Sequence, residues 1–160
     1  MLTVFTPGED LLHLPGGKQV HVHDVVGMVA AAGGTGYLLI GSDGGVFALG
    51  AVHFYGSLPG IGVHVNDIRG ILPAPGETGY VLVGADGGAF VFGHGAPYKG
   101  SLPGEGIKVS DIIGIVLTPT SQGYWMAGSN GAVFPFGDAT RYASPAGLAK
   151  ALPIAAVAGT

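Results

Sequence analysis

Apolar residues along this chain fall into short runs that are separated by segments rich in Gly, Pro and Asp. Residues 36–50 read GYLLIGSDGGVFALG, which is two apolar runs on either side of an Asp-Gly pair. Asp-Gly between two such runs is a strong hairpin signal, because a type I′ turn needs positive φ at both central residues. The pattern therefore predicts two antiparallel strands joined by a tight turn.

The same pattern occurs three times, at 36–50, at 79–93 (GYVLVGADGGAFVFG) and at 123–137 (GYWMAGSNGAVFPFG). The starting positions 36, 79 and 123 give repeat spacings of 43 and 44 residues. Asn130 takes the place of Asp43 and Asp86 in the third copy. A calcium or catalytic site would need the carboxylate, whereas a turn accepts Asn equally well, so the pattern favours a repeated turn.

Each repeat is predicted to contain four short strands. An apolar run such as DVVGMVAA precedes the hairpin, and a run such as VHFYGSL follows it. Four strands within about 40–45 residues is the period of a β-propeller blade. The sequence thus predicts an all-β protein, a β-propeller of four-stranded blades with three complete repeats of 43–44 residues.

The chain ends predict how the array closes. The N-terminal segment resembles a third and fourth strand, and LPIAAVAGT at the C-terminus resembles a first strand. Together they would form a composite blade, giving a four-bladed monomer or an eight-bladed dimer, since open sheet edges favour pairing. We expect a single domain over residues 1–160, divided into a partial unit at 1–17, repeats at about 18–60, 61–104 and 105–147, and a closing strand at 148–160.

Composition narrows the function classes. Hydrophobic residues make up 48% of the 160 residues and charged residues 10%, which excludes a disordered chain. The six Lys and Arg form no basic stripe, so no nucleic acid partner is expected, and the apolar windows are interrupted by turns, so no membrane span is expected either. The N-terminus has no signal-peptide pattern. We expect a cytoplasmic location as synthesised, with assembly into a virion favoured over an extracellular surface.

Residues 123–144, GYWMAGSNGAVFPFGDATRYAS, and the two copies before them resemble a Gly-rich repeat of actinobacterial proteins and associated phage proteins. That repeat runs roughly GYWLVASDGGVFAFGDAPFYGS. The resemblance covers nearly the whole chain and implies a β-propeller with a surface or particle role, with no catalytic motif to carry over. This chain departs from the pattern at Leu38 and Val81, where Trp is usual, and at Pro135.

The repeated aromatic residues divide into packing positions and binding candidates. Tyr and Phe within the hairpins are expected to pack between blades, with the tyrosine hydroxyls on a loop; they are Tyr37, Tyr80, Tyr124, Phe47, Phe90 and Phe134. The tyrosines of the predicted fourth strand, Tyr55, Tyr98 and Tyr142, could stack on sugar rings or proline, or could pack against the next blade. This alignment places the extra residue of the second repeat at Lys99.

Arg69 departs from its repeat, in which Val26 and Ile113 are the counterparts. On an innermost strand its charge would face a central channel or a subunit seam, or would be satisfied by solvent or a carboxylate. His21 and His23 could share a strand face, but no third ligand recurs with them. The sequence therefore predicts no metal, no cofactor and no catalytic residue, and it contains no catalytic motif.

These features predict a non-catalytic structural or adhesive module, such as a component of a phage virion or tail or of a surface assembly. Its expected partners are further copies of itself or another structural protein. The alternative is a lectin-like protein that binds cell-wall or surface glycans.

Overall fold

The computed structural model describes residues 11–13, 19–21, 25–31 and 34–142. These residues form an all-β structure with eleven strands and no α-helix. The strands are β1 (Leu11–His13), β2 (Gln19–His21), β3 (Val25–Ala30), β4 (Gly36–Gly41), β5 (Val46–Gly50), β6 (Ile68–Pro73), β7 (Gly79–Gly84), β8 (Ala89–Gly93), β9 (Ile112–Leu117), β10 (Gly123–Gly128) and β11 (Val133–Gly137). The predicted closing strand at 148–160 lies outside the described residues.

Each complete repeat folds into one three-stranded antiparallel sheet whose strands follow chain order: sheet 1 is β3-β4-β5, sheet 2 is β6-β7-β8 and sheet 3 is β9-β10-β11. Strands β1 and β2 form a separate two-stranded antiparallel sheet. The predicted hairpins are confirmed in all three repeats, with Gly36 opposite Gly50, Gly79 opposite Gly93 and Gly123 opposite Gly137. The repeat seen in the sequence is therefore a repeat of one small sheet.

The hairpin turn differs from the predicted type I′. In sheet 1 the Gly44 N–H donates to Gly41 O at 3.0 Å, and the Gly41 N–H donates to Gly45 O at 2.9 Å. Only Gly44 has positive φ, at 77°, while Asp43 does not. This is the pattern of a three-residue loop, a type I turn followed by a left-handed Gly. The Asp43 carboxylate accepts the Gly45 N–H at 2.8 Å, so the predicted turn role of Asp43 is confirmed.

The predicted fourth strand is wrong for the first two repeats. Residues 51–67 and 94–111 contain no strand and instead run irregularly into the 3-10 turns Pro59–Ile61 and Pro103–Glu105. We call residues 51–67 and 94–111 the connections. Gly56 and Gly100, with φ of 130° and 133°, take their backbone out of the strand region. In the third repeat residues 140–142 are also outside any strand, and the remainder of that predicted strand lies outside the described residues.

The apolar core lies between successive sheets. One cluster joins sheet 1 to sheet 2 and contains Leu38, Ile40, Val46, Leu58, Ile68, Tyr80, Leu82 and Phe92. The second cluster joins sheet 2 to sheet 3 and contains Leu72, Val81, Val83, Leu102, Ile112, Ile115, Tyr124, Met126 and Phe136. Because side chains alternate along a strand, each sheet can offer one face to the preceding repeat and the other to the following one.

The one leucine of each connection completes one of these clusters. Leu58 and Leu102 are fully buried beside the hairpin turn of their own repeat. A Cβ on Gly44 would lie 2.5 Å from Leu58 Cδ1, and a Cβ on Gly87 would lie 2.5 Å from Leu102 Cδ1. The turn glycine is therefore required twice, once for its positive φ and once because the leucine leaves no space for a side chain.

Candidate functional site

A groove of about 300 Å³ lies where the loops that follow β3, β6 and β9 come together. Its walls are mostly small and apolar and include Ala31, residues Pro73–Glu77 and Leu117. His53 and Tyr55 enter it from the first connection. A concave, mainly apolar site with a few polar groups is the usual form of a ligand-binding site.

Tyr55, one of the predicted binding residues, is held in the wall of this groove. Its hydroxyl donates to Glu77 O at 2.9 Å, across the seam between the first two sheets. Its ring lies edge-on to Tyr80 and to His53, at 6.1 Å in each case. Tyr55 is half-buried, so it packs against the neighbouring sheet and still contributes to the groove surface.

The hairpin tyrosines Tyr80 and Tyr124 tie each sheet to the connection before it. The Tyr80 hydroxyl accepts the Tyr55 N–H at 3.1 Å and donates to Gly56 O at 2.5 Å. The Tyr124 hydroxyl accepts the Lys99 N–H at 3.1 Å and donates to Gly100 O. Burial raises the pKa of both tyrosines, so each hydroxyl keeps the proton that it donates. The predicted packing role, with the hydroxyl on a loop, is confirmed for these two.

These bonds correct the alignment of the binding candidates. Lys99, and not Tyr98, occupies the position of Tyr55, because both donate their N–H to the hairpin tyrosine of the next repeat. The extra residue of the second repeat therefore lies between Gly93 and Lys99, and Tyr98 corresponds to Phe54. Both of these side chains are exposed, Phe54 at 56% and Tyr98 at 47%.

Tyr142 lies near the end of the described chain, in a third type of environment. It is 67% exposed, and its ring centroid is 6.2 Å from that of Trp125. The Trp125 Nε1–H donates to Thr140 O at 2.8 Å, which fixes the indole beside it. The three predicted tyrosines thus have different surroundings, and the structure does not bring them together into one site.

Arg69 occupies a β-bulge. Ile68 pairs with Gly84 and Gly70 with Val83, so Arg69 is the extra residue of β6. Val26 and Ile113 hold the same place in the other sheets. The Arg69 side chain is exposed, and its guanidinium donates to Ile68 O at 3.1 Å. A bulge redirects the side chain of the extra residue, and nothing in the residue pattern predicted this bulge.

A polar cluster in the third repeat was not predicted from the sequence. The Thr118 hydroxyl donates to the Asp138 carboxylate at 2.9 Å, and the Thr120 hydroxyl donates to the other oxygen. The pKa of Asp138 is lowered, mainly by the hydrogen bond from the Thr120 hydroxyl. The Thr118 hydroxyl and the positive charge of Lys99 lower it further. The counterparts of Thr118 are Ala31 and Ala74, so a hydroxyl in a repeat position that is otherwise Ala was the available signal.

Within the part of the chain that the structure describes, no group of three or more His, Asp or Glu side chains is placed to hold a metal ion. The same part contains no helix with the length and apolar character needed to cross a membrane. No protein-family model matches the chain, and no curated protein matches its sequence.

Proposed function

We propose that this chain is a non-catalytic structural or adhesive module with the architecture of a β-propeller. Its role is to make protein–protein contacts in a larger particle, such as a phage virion or tail or a surface assembly. It acts through repeated sheet faces, and the groove beside Tyr55 is a secondary feature of the same fold.

The packing of the sheets supports the propeller architecture. First strand contacts first strand along the chain, β3 with β6 and β6 with β9. These contacts are more extensive than those between any other strands of different sheets in the described residues. Sheets that meet at one strand and spread apart at the other are arranged radially, as propeller blades are. The expected four-bladed monomer or eight-bladed dimer depends on a composite blade whose segments lie largely outside the described residues.

The observation that carries the proposal is the apolar face at the start of the array. Leu49 is packed there with Tyr37, Leu39 and Phe47. Tyr37 and Leu39 are only half-buried, whereas their counterparts Tyr80 and Leu82 are almost completely buried. Phe47 is half-buried, as is its counterpart Phe90. A sheet face with the composition of an interior seam and incomplete cover is suited to a protein partner.

The test of the assembly role is the mass in solution, measured by light scattering over a dilution series. The chain has a mass of 15.9 kDa. We expect about 32 kDa or a larger multiple, because an exposed seam face favours association. A species of about 16 kDa at every concentration would reject the assembly role.

The groove favours a second candidate function, a lectin-like module for surface glycans. Tyr55 presents part of an aromatic ring in a recess of about 300 Å³, and aromatic rings are common platforms for sugar rings. The test is thermal unfolding with a panel of cell-wall sugars, since a ligand that binds the native state raises the melting temperature. A shift that is lost in Tyr55→Ala and kept in the matched Tyr98→Ala variant would favour this function, and a 16-kDa species stabilised in this way would displace the assembly role.

A further inference from the structure

The hairpin turn of sheet 3 contains an Asn-Gly pair. Asn130 is exposed at the tip of this turn and is followed by Gly131. The corresponding residues in sheets 1 and 2 are Asp43 and Asp86, each also followed by Gly. The role in the turn explains why Asn is accepted at this position. Asn is also a thermolabile residue, because its side-chain amide is an electrophile that the backbone nitrogen of the next residue can attack.

One hydrogen bond holds the Asn130 side chain close to that nitrogen. Asn130 Oδ1 accepts the Ala132 N–H at 2.7 Å, and this bond closes a ring that contains both Asn130 Cγ and the Gly131 nitrogen. An N–H that donates to a carbonyl oxygen stabilises the negative charge that develops there during nucleophilic attack. Because Gly131 has no side chain, nothing on its own Cα hinders the approach of its nitrogen.

The same turn also slows the attack. The Gly131 N–H donates to Gly128 O at 3.0 Å, and the Gly128 N–H donates to Ala132 O at 2.8 Å. The Gly131 nitrogen must lose its proton before it attacks, so the first of these bonds has to open. Local opening costs less free energy than global unfolding, so the reaction can occur in the folded chain at a reduced rate.

From this arrangement we infer that Asn130 is a deamidation site of this chain. The inference is independent of the proposed assembly role. The Gly131 nitrogen loses its proton and forms a bond to Asn130 Cγ, and the side-chain nitrogen takes up a proton and leaves as ammonia. The product is a succinimide ring. Water then opens the ring, either at Cγ to give aspartate at position 130 or at the main-chain carbonyl to give isoaspartate.

The aspartate product matches the turns of the other two sheets. The carboxylates of Asp43 and Asp86 accept the N–H two residues further on, at 2.8 and 2.7 Å, as the amide oxygen of Asn130 does. Deamidation at Cγ therefore gives the third hairpin the Asp-Gly turn of the first two.

The new carboxylate would lie close to a second one. Asn130 Oδ1 and Asp111 Oδ2 lie 3.0 and 3.2 Å from a Cβ added to Gly128. Sheet 2 has the same arrangement with two carboxylates, since Asp86 and Asp67 both lie within 4 Å of a Cβ added at the corresponding glycine. The fold thus already accommodates this pair of charges in another repeat.

The isoaspartate product does not fit the turn. It leads the main chain through Cβ and Cγ of residue 130, which adds one backbone atom to the loop. The hydrogen bonds of Gly128 and Gly131 close this loop at its present length, so both cannot be kept in the longer one. The isoaspartate form should therefore melt at a lower temperature than the aspartate form.

The first test follows the purified full-length chain during long incubation in a mildly alkaline buffer, below its melting temperature. Deamidation of one Asn changes the formal net charge from −4 to −5 at pH 7, so isoelectric focusing separates the product and peptide mapping by mass spectrometry locates it. We expect the change at Asn130. Asn66 is the internal control, because it is also exposed but is followed by Asp67, whose side chain hinders the attack. Reaction at Asn66 with none at Asn130 would overturn the inference.

Two variants identify the source and the product of the reaction. Asn130→Ser keeps a side-chain oxygen for the Ala132 N–H but has no amide, so the acidic species should be absent. An undiminished acidic species in this variant would overturn the inference. Asn130→Asp should focus with the acidic species and keep the circular dichroism and melting temperature of the unchanged chain. A large fall in its melting temperature would contradict the fit of the aspartate product.

The part played by the turn is measured by comparing the folded chain with the chain unfolded in guanidinium chloride. Deamidation of Asn130 should be faster by about tenfold or more in the unfolded chain, because no turn bond holds the Gly131 nitrogen there. Equal rates would contradict the slowing assigned to the turn. Complete conversion of the unfolded chain with none in the folded chain would show that the turn closes the site, which would overturn the inference.

Discussion

At the residue scale, the hydroxyls of Tyr80 and Tyr124 form hydrogen bonds with backbone groups that a neighbouring strand would bind if the connections were part of a sheet. Each hydroxyl pairs with one backbone N–H and one backbone C=O of the connection before it. Because the connections belong to no strand, these backbone groups have no partner in a sheet, and the tyrosine hydroxyl binds them instead. The repeated Gly-Tyr pair could be found in the sequence, but its hydrogen-bond partners could not, since they lie 24 and 25 residues earlier in the chain.

Tyr124→Phe removes one such hydroxyl and keeps the ring. We expect the free energy of unfolding to fall by about 1–3 kcal/mol, because the Lys99 N–H and the Gly100 C=O lose a buried partner. Urea denaturation measures the change. Tyr98→Phe is the control, since Tyr98 is 47% exposed, and it should change stability by less than about 0.5 kcal/mol. Equal effects of the two substitutions would contradict the bridging role.

Asp138 gives a pH-dependent prediction at the same scale. The hydroxyl of Thr120, then that of Thr118, stabilises the carboxylate and lowers the pKa of Asp138 below its usual value of 3.8. A carboxyl whose pKa is lower in the folded state stabilises the fold above its unfolded pKa, and this contribution is lost as pH falls through the folded pKa. The stability advantage over Asp138→Asn should therefore be present at pH 7 and disappear as the pH falls from about 4 toward 2.

Thermal unfolding of both proteins at a series of pH values measures this difference. Asp86→Asn is the matched control, because Asn130 already takes the same turn position and accepts the same type of N–H bond at 2.7 Å. If the difference in melting temperature between the unchanged chain and Asp138→Asn stays constant down to pH 2, the charge of the carboxylate does not contribute to the stability difference.

At the element scale, the hairpins could be predicted from the sequence and the connections could not. The Asp-Gly or Asn-Gly signal is local, so it located all three hairpins, although the loop has three residues in place of the expected two. The fourth strand was inferred from apolar residues such as Tyr55 and Leu58. These are apolar because they cover the seam, and Gly56 turns the backbone away from any ladder. Apolar residues indicate burial, and they do not by themselves distinguish a strand from an irregular segment.

The turn glycines give a matched pair of substitutions. Gly106→Ala should lower the free energy of unfolding by about 1–2 kcal/mol, because Gly106 has a φ of 73°. No atom lies within 4 Å of the Cβ that this substitution would add. Gly87→Ala should cost more by about 1–3 kcal/mol, because its φ is 74° and the new Cβ would also lie 2.5 Å from Leu102 Cδ1. Chemical denaturation of both variants measures the difference. Equal costs would mean that Leu102 moves aside freely.

At the scale of the whole molecule, the described array is a row in which each sheet packs on its neighbours. The two core clusters share no residue, and each joins one pair of sheets. Stability in such an array is approximately a sum of unit terms and nearest-neighbour terms. The sequence predicted this arrangement from its 43–44-residue period, which the sheets reproduce. It did not predict the groove, because Tyr55 and Glu77 come together only across a seam.

Leu58→Ala and Leu102→Ala test this independence. Each removes a fully buried side chain from a different cluster, and each should cost about 2–5 kcal/mol. The effects should add within about 0.5 kcal/mol in the double variant, as expected for residues with no shared partners. A larger departure from additivity, measured by denaturation, would show that the two seams are coupled through sheet 2.

The backward reach of the hairpin tyrosine also decides where the gene for such an array can be cut and rejoined. A cassette that encodes residues 36–78 would separate Tyr55 and Gly56 from Tyr80, the residue that holds their backbone. A cassette for residues 51–93 keeps all three together, and it joins to its neighbours through the Gly-Ala and Gly-His bonds at its ends. Duplication or grafting at these offset boundaries keeps each connection with the tyrosine that binds its backbone, whereas cuts placed at the visible Gly-Tyr period separate the two.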